Sequence, residues 1–476
     1  MLRYKKFIGT HLSILSLLFI APSSLAKYDP DKIRGDYIQT FSTPYKDIIE
    51  SCVIPKHLPL AHYKDSDRKD EAMLCGIDFY GQTVMYDLPL TQVAVCPKNR
   101  STNPAVELYK IKSADLSMSA YESKQCRLPS KKRDKKLAKR IAKFKQSISC
   151  SYTPSLLGYY HVSRMLGNIA DVPPAVIRTM ALTRHRKIAK LGYQVARKYK
   201  QTVQAKTWKS VIDTENHIDS KSNKMGRKYS KQIFTKDNKQ IFGAMQKDVK
   251  HEEKYKEFYI KNVKNSYRRL TSQPFVKKLM RKNIPKTASV ANLYQLKDYA
   301  DMLLLDYLLS QEDRFGNIAY KDYYYFIDKT GSIQRKRING KEEAKHQYAA
   351  LQQYALSDLH KVRRLVLKDN DCGVNRLNRT KKSKIMSKIR HMSLNSYQNL
   401  LKLESKLEAN STENFFQQEL LFSSRDWENF EHSVRSLTKV LQKNCRSGRL
   451  QLDLNPRRKM LSLSTINSKS NCDLSL

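Results

Sequence analysis

The chain has 476 residues, room for one large domain or two ordinary ones, and it carries 89 Lys and Arg against 45 Asp and Glu, a formal charge of +44. Such an excess favours polyanionic partners (nucleic acid, anionic lipid head groups, glycosaminoglycan-like polymers or acidic proteins), unless it is spread over solvated helix faces. No nucleic-acid motif is present, and no stretch beyond residue 26 is long and apolar enough to span a bilayer.

Residues 1–26 read as a processing signal: a basic start (Arg3, Lys5, Lys6), an apolar stretch from Phe7 to Ala21 broken by Thr10, His11 and Ser13, and the small-x-small site Ser24-Leu25-Ala26. The chain is therefore expected to be exported, to a periplasm or outside the cell. All eight cysteines follow that signal, an even number suited to disulfides in an oxidising compartment. None forms a close CxxC pair, which argues against zinc. Which cysteine pairs with which is not readable from sequence.

Residues 27–127 hold four of the cysteines and the short alternating runs GQTVMYDL, TQVAVC and AVELYKI, which predict a disulfide-stapled, β-rich N-terminal region. Arg127 to Arg140 has eight basic residues against one acidic and reads as an exposed segment, either a polyanion contact or a solvated linker or helix start. Ile141 to Ser149 alternates like a strand. Thr153 and Pro154 open a helix, SLLGYYHVSRML, with Gly167 just past its end, and Asp171 to Val176 follows as an extended segment set by Pro173 and Pro174.

Ala181 to Ser230 is basic with few apolar anchors, and its last part, SKSNKMGRKYS, reads as an exposed insertion. Lys231 to Met245 reads as a hairpin turning at Thr235 to Asn238. Tyr255 to Lys286 is expected to be helical and basic, and Leu293 to begin a further helix.

The most informative stretch is Asp298 to Tyr320. Met302, Leu305, Leu308 and Leu309, with Leu303 and Leu304 between them, fill almost the whole girth of a helix, the pattern of one buried in a core. The polar loop QEDRFGN follows, and then two short strands, Ile318 to Tyr320 and Tyr323 to Ile327. Asp313 and Asn317 on that loop can act on one point: the Asp can orient or deprotonate a hydroxyl while the Asn oxygen holds Mg²⁺. The same residues are also a common way to leave a helix, with Asp313 and Arg314 paired on the surface. A hairpin around Thr330-Gly331 and a helix over His346 to Asp358 come next. From Leu365 an apolar strand runs into an acidic turn closed by Gly373, where Asp371, with Asp369 as a second candidate, stands at metal-binding spacing from the glycine. Helices over Ser393 to Leu407 and Glu413 to Gln442 complete the chain, and the last two cysteines can staple the tail.

Ala142-Lys143-Phe144-Lys145-Gln146, the helix ending YYHVSRMLG and the segment VPPAVIR, taken with the Asp-Arg loop, resemble the atypical secretory-pathway kinases that phosphorylate casein and proteoglycans. The likeness covers roughly residues 140–440 and extends to HipA-type and phosphoinositide kinases. It implies an α+β, bilobal protein-kinase-like fold: a β-rich N-lobe with an insertion over 128–290 and an α-helical C-lobe with a tail over 291–476, behind the cysteine-containing N-terminal region. It also implies ATP with Mg²⁺ or Mn²⁺, Lys145 on the nucleotide phosphates, Asp313 as catalytic residue, and Asp371, Asn317 and Asp369 around the metal. Phe242 and Met245 would lie near adenine. The sequence departs from that pattern where Leu156 replaces the expected helix Glu, where Asn317 follows Asp313 by four positions rather than five, and in having no GxGxxG loop before Lys145. The reading is an exported kinase acting on a protein, glycan or lipid hydroxyl; its alternatives are a pseudokinase scaffold and a basic polyanion-binding protein.

Overall fold

In a computed structural model of the protein, which describes residues 28–29, 34–81, 92–99, 102–218, 233–250, 252–258, 266–463 and 471–473, the alternating runs of the N-terminal half pair into one antiparallel sheet. Its seven strands are β1 (Tyr37–Ser42), β2 (Ile49–Ile54), β3 (Val93–Pro97), β4 (Val106–Ile111), β5 (Ala138–Gln146), β6 (Ala175–Ala181) and β7 (Gln240–Lys247). They lie in the order β1-β2-β6-β7-β5-β4-β3. The sequence boundary at residue 127 thus falls between β4 and β5, neighbouring strands of a single sheet. The expected processing signal, most of GQTVMYDL and the whole of SKSNKMGRKYS lie outside the described residues.

Period-two alternation gives the sheet two apolar faces. Phe144, Val176 and Met245 enter one core together with Ile188, Trp208 and Val211. These last belong to helices α4 (Leu182–Lys198) and α5 (Thr202–Asn216), which follow α1 (Asp65–Cys75), α2 (Met118–Gln125) and α3 (Thr153–Met165) in the chain. The stretch after Ala181 is therefore better anchored than its basic composition suggests. A Cβ at Gly192 of α4 would sit 2.6 Å from the Trp208 ring, so the two helices meet there only because glycine leaves room. On the opposite face Ile177, Phe242 and Ala244 join the larger core around α3 and α6 (Val290–Leu308), which is buried along nearly its whole length as its leucines predict.

A second antiparallel sheet, β10 (Ile333–Arg337), β9 (Ala319–Ile327) and β11 (His360–Val366), with the two-residue β8 (Glu253–Lys254) added to β9, packs on α6. The two short strands expected after the Asp313 loop are one continuous strand, because β11 pairs along it without a break from Ala319 to Tyr325. The chain beyond contributes α7 (Leu394–Ser405) and α8 (Ser424–Arg446). The long helix expected over Glu413 to Gln442 is interrupted: short turns span Asn410–Asn414 and Phe415–Glu419, and α8 starts afresh at the capping box of Ser423 and Asp426. Tyr255 to Lys286 holds only short helical pieces among its described residues, at Lys256–Phe258, Ser266–Leu270 and Pro274–Leu279. The helix expected from His346 runs earlier, over Lys341–Gln352.

All eight cysteines are paired: Cys52 with Cys75, Cys96 with Cys126, Cys150 with Cys372 and Cys445 with Cys472. The molecule is a mixed α+β protein whose disulfides suit maturation in an oxidising compartment. Among the described residues no helix is long and apolar enough to cross a membrane.

Candidate functional site

The site forms where the end of β5, the start of α3, the exit of α6 and the turn after β11 converge. Lys145 lies opposite Ala244 of β7, so its side chain leaves the sheet on the side of the larger core and is almost wholly buried. A buried ammonium needs a counter-charge. The turn after β11 supplies it: Lys145 Nζ is 3.2 Å from Asp371 Oδ2 and 3.7 Å from Asp369 Oδ1. Burial alone would lower the Lys145 pKa, but the two carboxylates hold it above its ordinary value. The same pairing outweighs burial at Asp371 and Asp369 and keeps both below the usual carboxylate range.

The turn bearing these aspartates is fastened on three sides. The Tyr152 amide donates to the Asp371 carbonyl at 2.8 Å, and Ser155 Oγ donates to the Asn370 carbonyl at 2.6 Å. The amides of Glu312 and Val374 reach Cys372 and Leu309 carbonyls, and Cys372 is disulfide-bonded to Cys150, four residues after the end of β5. Gly373 is required by this closeness: a Cβ there would lie 2.6 Å from the Leu309 carbonyl oxygen and 2.7 Å from Ser155 Oγ.

The Asp313 loop leaves α6 through Ser310, at φ 52°, and turns again at Gly316, at φ 75°. Arg314 is not paired with Asp313 on the surface. It is fully buried, its Nε and Nη2 gripping Asp306 at 2.8 to 3.2 Å, with Nη2 also donating to Asn370 Oδ1 at 3.0 Å. Tyr159 and Tyr267 donate their hydroxyls to the same carboxylate at 2.8 and 2.9 Å. The loop is thus nailed to the core by its arginine, which turns Asp313 outward to the open rim of the site. Partial withdrawal from water, then the charges of Asp371 and Asp369, raise the Asp313 pKa. Asn317 is half-buried, and its side-chain nitrogen donates to the Asp313 carbonyl at 3.3 Å.

Lys145, Asp369, Asp371 and Asp313 are therefore brought together, with Asn317 on the same loop as Asp313. Phe242 and Met245 are not: three residues apart on β7, they point to opposite faces, Phe242 stacked on Tyr28 at 4.7 Å and Met245 buried in the other core. They cannot line one adenine pocket. Leu156, where the resemblance expects a helix Glu, is buried and apolar, and the counter-charge to Lys145 comes instead from the Asp369–Asp371 turn.

Two lysines escaped the sequence reading. Lys143 shares Lys145's strand face by period two and pairs with Asp248 at 3.4 Å. Lys98, just beyond β3, faces the same cluster; withdrawal from water and then the charges of Lys145 and Lys143 push its pKa down to about 8. Nothing in the spacing of Lys98 could have announced this, because it is placed by the pairing of β3 through β5. Among the described residues no three His, Cys, Asp or Glu side chains converge as a metal-ligand set. The hard oxygens of Asp369 and Asp371 are nonetheless donors of the kind that Mg²⁺ and Mn²⁺ accept, and a cation held there would need ligand oxygens or water to complete its shell. No family model, no curated protein and no solved structure matches the chain.

Proposed function

We propose that the protein is an exported atypical kinase with a bilobal kinase-like fold, transferring the γ-phosphoryl group of ATP to a protein, glycan or lipid hydroxyl. The observation that carries this reading is the buried Lys145 ammonium, presented by a central strand between Asp371 and Asp369, with Asp313 beside them at the exit of a buried helix. Lys145, backed by Lys143 and Lys98, offers cationic charge to the α- and β-phosphates. Asp371 and Asp369, with Asn317, are the residues that would hold Mg²⁺ or Mn²⁺, and the bound ion would neutralise charge on the phosphates. Asp313 takes the proton of the acceptor hydroxyl as its oxygen bonds to the γ-phosphorus and the bond to the bridging oxygen breaks, releasing ADP. The pseudokinase reading draws on the same lysine: with no acid on α3, Lys145 is already satisfied by the two aspartates that a metal would need.

Thermal unfolding of the oxidised protein with ATP, with and without Mn²⁺, separates the two. A catalyst shows metal-dependent stabilisation that Asp371→Ala abolishes. Asp313→Ala keeps most of that stabilisation and lowers phosphate transfer by about 10²-fold or more. Wild-type protein that neither binds nor hydrolyses ATP under any divalent metal leaves only the scaffold. A greater loss in Asp369→Ala than in Asp371→Ala would move the principal metal ligand two residues earlier.

A further inference from the structure

A cavity of about 600 Å³ lies among residues that take no part in the Lys145 cluster. Its wall is cationic: Lys64, Lys297, Arg335, Arg364, Arg457 and Arg458 line it against one carboxylate, Asp171. Part of that charge is balanced from behind. Arg364 grips Asp298 at 2.8 and 3.0 Å, Lys297 pairs with Asp301, and Asp171 is shared by Lys64 at 3.7 Å and Lys321 at 3.4 Å. Arg335 and Arg457 form no ion pair among the described residues, although Arg335 adds to the charges that hold Asp171 ionised, and both are exposed toward solvent. The floor is aromatic, with Tyr294 and Tyr325 in ring contact at 4.4 Å and the Arg335 guanidinium 4.8 Å over Tyr323. Asn168, held at φ 60° just after α3, brings a buried side-chain oxygen that accepts no hydrogen bond among the described residues.

Each feature constrains the occupant. Two guanidiniums without an ion-pair partner, at the mouth of a mostly cationic wall, suit an anion with oxygens. The unpartnered buried acceptor of Asn168 suits a ligand that also donates, which inorganic phosphate at neutral pH does poorly. A tyrosine floor suits the C–H face of a ring, and its tyrosines are already engaged with one another and with Arg335. The volume lies within the ordinary range for small-ligand cavities. We infer that this cavity binds a polyhydroxylated ring carrying phosphate or sulfate, with its anion on Arg335 and Arg457 and a ring hydroxyl donating to Asn168. The inference needs nothing from phosphoryl transfer.

Isothermal titration of the full chain with glucose 6-phosphate, an inositol bisphosphate, a sulfated heparin disaccharide, glucose and inorganic phosphate tests it. At least one of the three anionic rings is expected to bind about 10-fold or more tightly than both glucose and inorganic phosphate, with affinity falling as salt rises. The ring preferred tells a free sugar phosphate from a lipid head group or a sulfated glycan. Arg335→Ala with Arg457→Ala should cost about 10-fold or more, and Asn168→Asp, which tolerates the same backbone, should weaken binding by repelling the anion. Lys131→Ala with Lys132→Ala, on a different basic surface, should leave it unchanged. Equal binding of inorganic phosphate, binding untouched by the double arginine change in a variant of unaltered thermal midpoint, or equal loss in the lysine control would each overturn the assignment.

Discussion

Lys98 and Asp313 carry opposite perturbations into one site, and together they set its pH behaviour. Lys98 titrates at about 8 in the folded protein, lowered first by withdrawal from water and then by Lys145 and Lys143. An anionic ligand prefers its protonated form, so nucleotide affinity should fall as pH rises through about 8. The effect on stability has the other sign. Between that value and the ordinary lysine range the unfolded chain binds the proton that the folded chain has released, so this one group favours folding more as pH rises there. Asp313 is raised, so the acid limb of any transfer rate should lie above the ordinary carboxylate range, with activity lost as the pH falls through it. A pH series of ATP affinity and turnover, repeated on Lys98→Met, checks both limbs. An alkaline limb that persists in Lys98→Met assigns it to another group.

At the scale of elements, α6 is joined to the loop that follows it by Asp306 and Arg314, fully buried and eight residues apart. Asp306 accepts from Arg314, Tyr159 and Tyr267 together, so its removal strands a guanidinium and two hydroxyls in the core. Asp306→Ala should therefore cost about 3–5 kcal/mol, read as a fall in the urea midpoint at unchanged slope. A loss below about 1 kcal/mol would mean that the core relaxes around the charge, and that Arg314 does not position the loop. The sequence shows both residues, but not that they meet. Asp306 sits in an apolar run that reads as a core helix, and Arg314 sits beside Asp313, its nearer and more obvious partner. Burial decides between them, since the loop folds its arginine under the helix and leaves Asp313 at the partly solvated rim of the site.

For the whole molecule, the disulfide Cys150–Cys372 closes a separation of 222 residues and joins the sheet that carries Lys145 to the turn that carries Asp371. In the chain-entropy model a loop of that size is worth about 5.4 kcal/mol. Its local effect is to hold both sides of the candidate site in register. Cys150→Ala with Cys372→Ala should lower the thermal midpoint and raise hydrogen exchange over residues 369–374, while exchange around the other three disulfides stays as it was. Exchange at that turn equal to wild type would show that the hydrogen bonds from Tyr152 and Ser155 suffice to hold it.

Much was determined by the sequence alone. The buried helix, the Asp-Arg loop, the acidic turn closed by Gly373, the proline-led start of α3 and the even count of cysteines all follow from local pattern, because periodicity and turn chemistry act over a few residues. The candidate aspartates were legible for the same reason, whereas Lys145 was singled out only through the resemblance. What only the tertiary structure decided is every relation across long separations: the cysteine pairing, the union of β4 with β5 across an expected boundary, the burial of Arg314 on Asp306, the arrival of Lys98 and the divergence of Phe242 and Met245. Strand order and side-chain facing are set by which apolar faces can be buried together, a property of the assembled core that no short window of sequence contains.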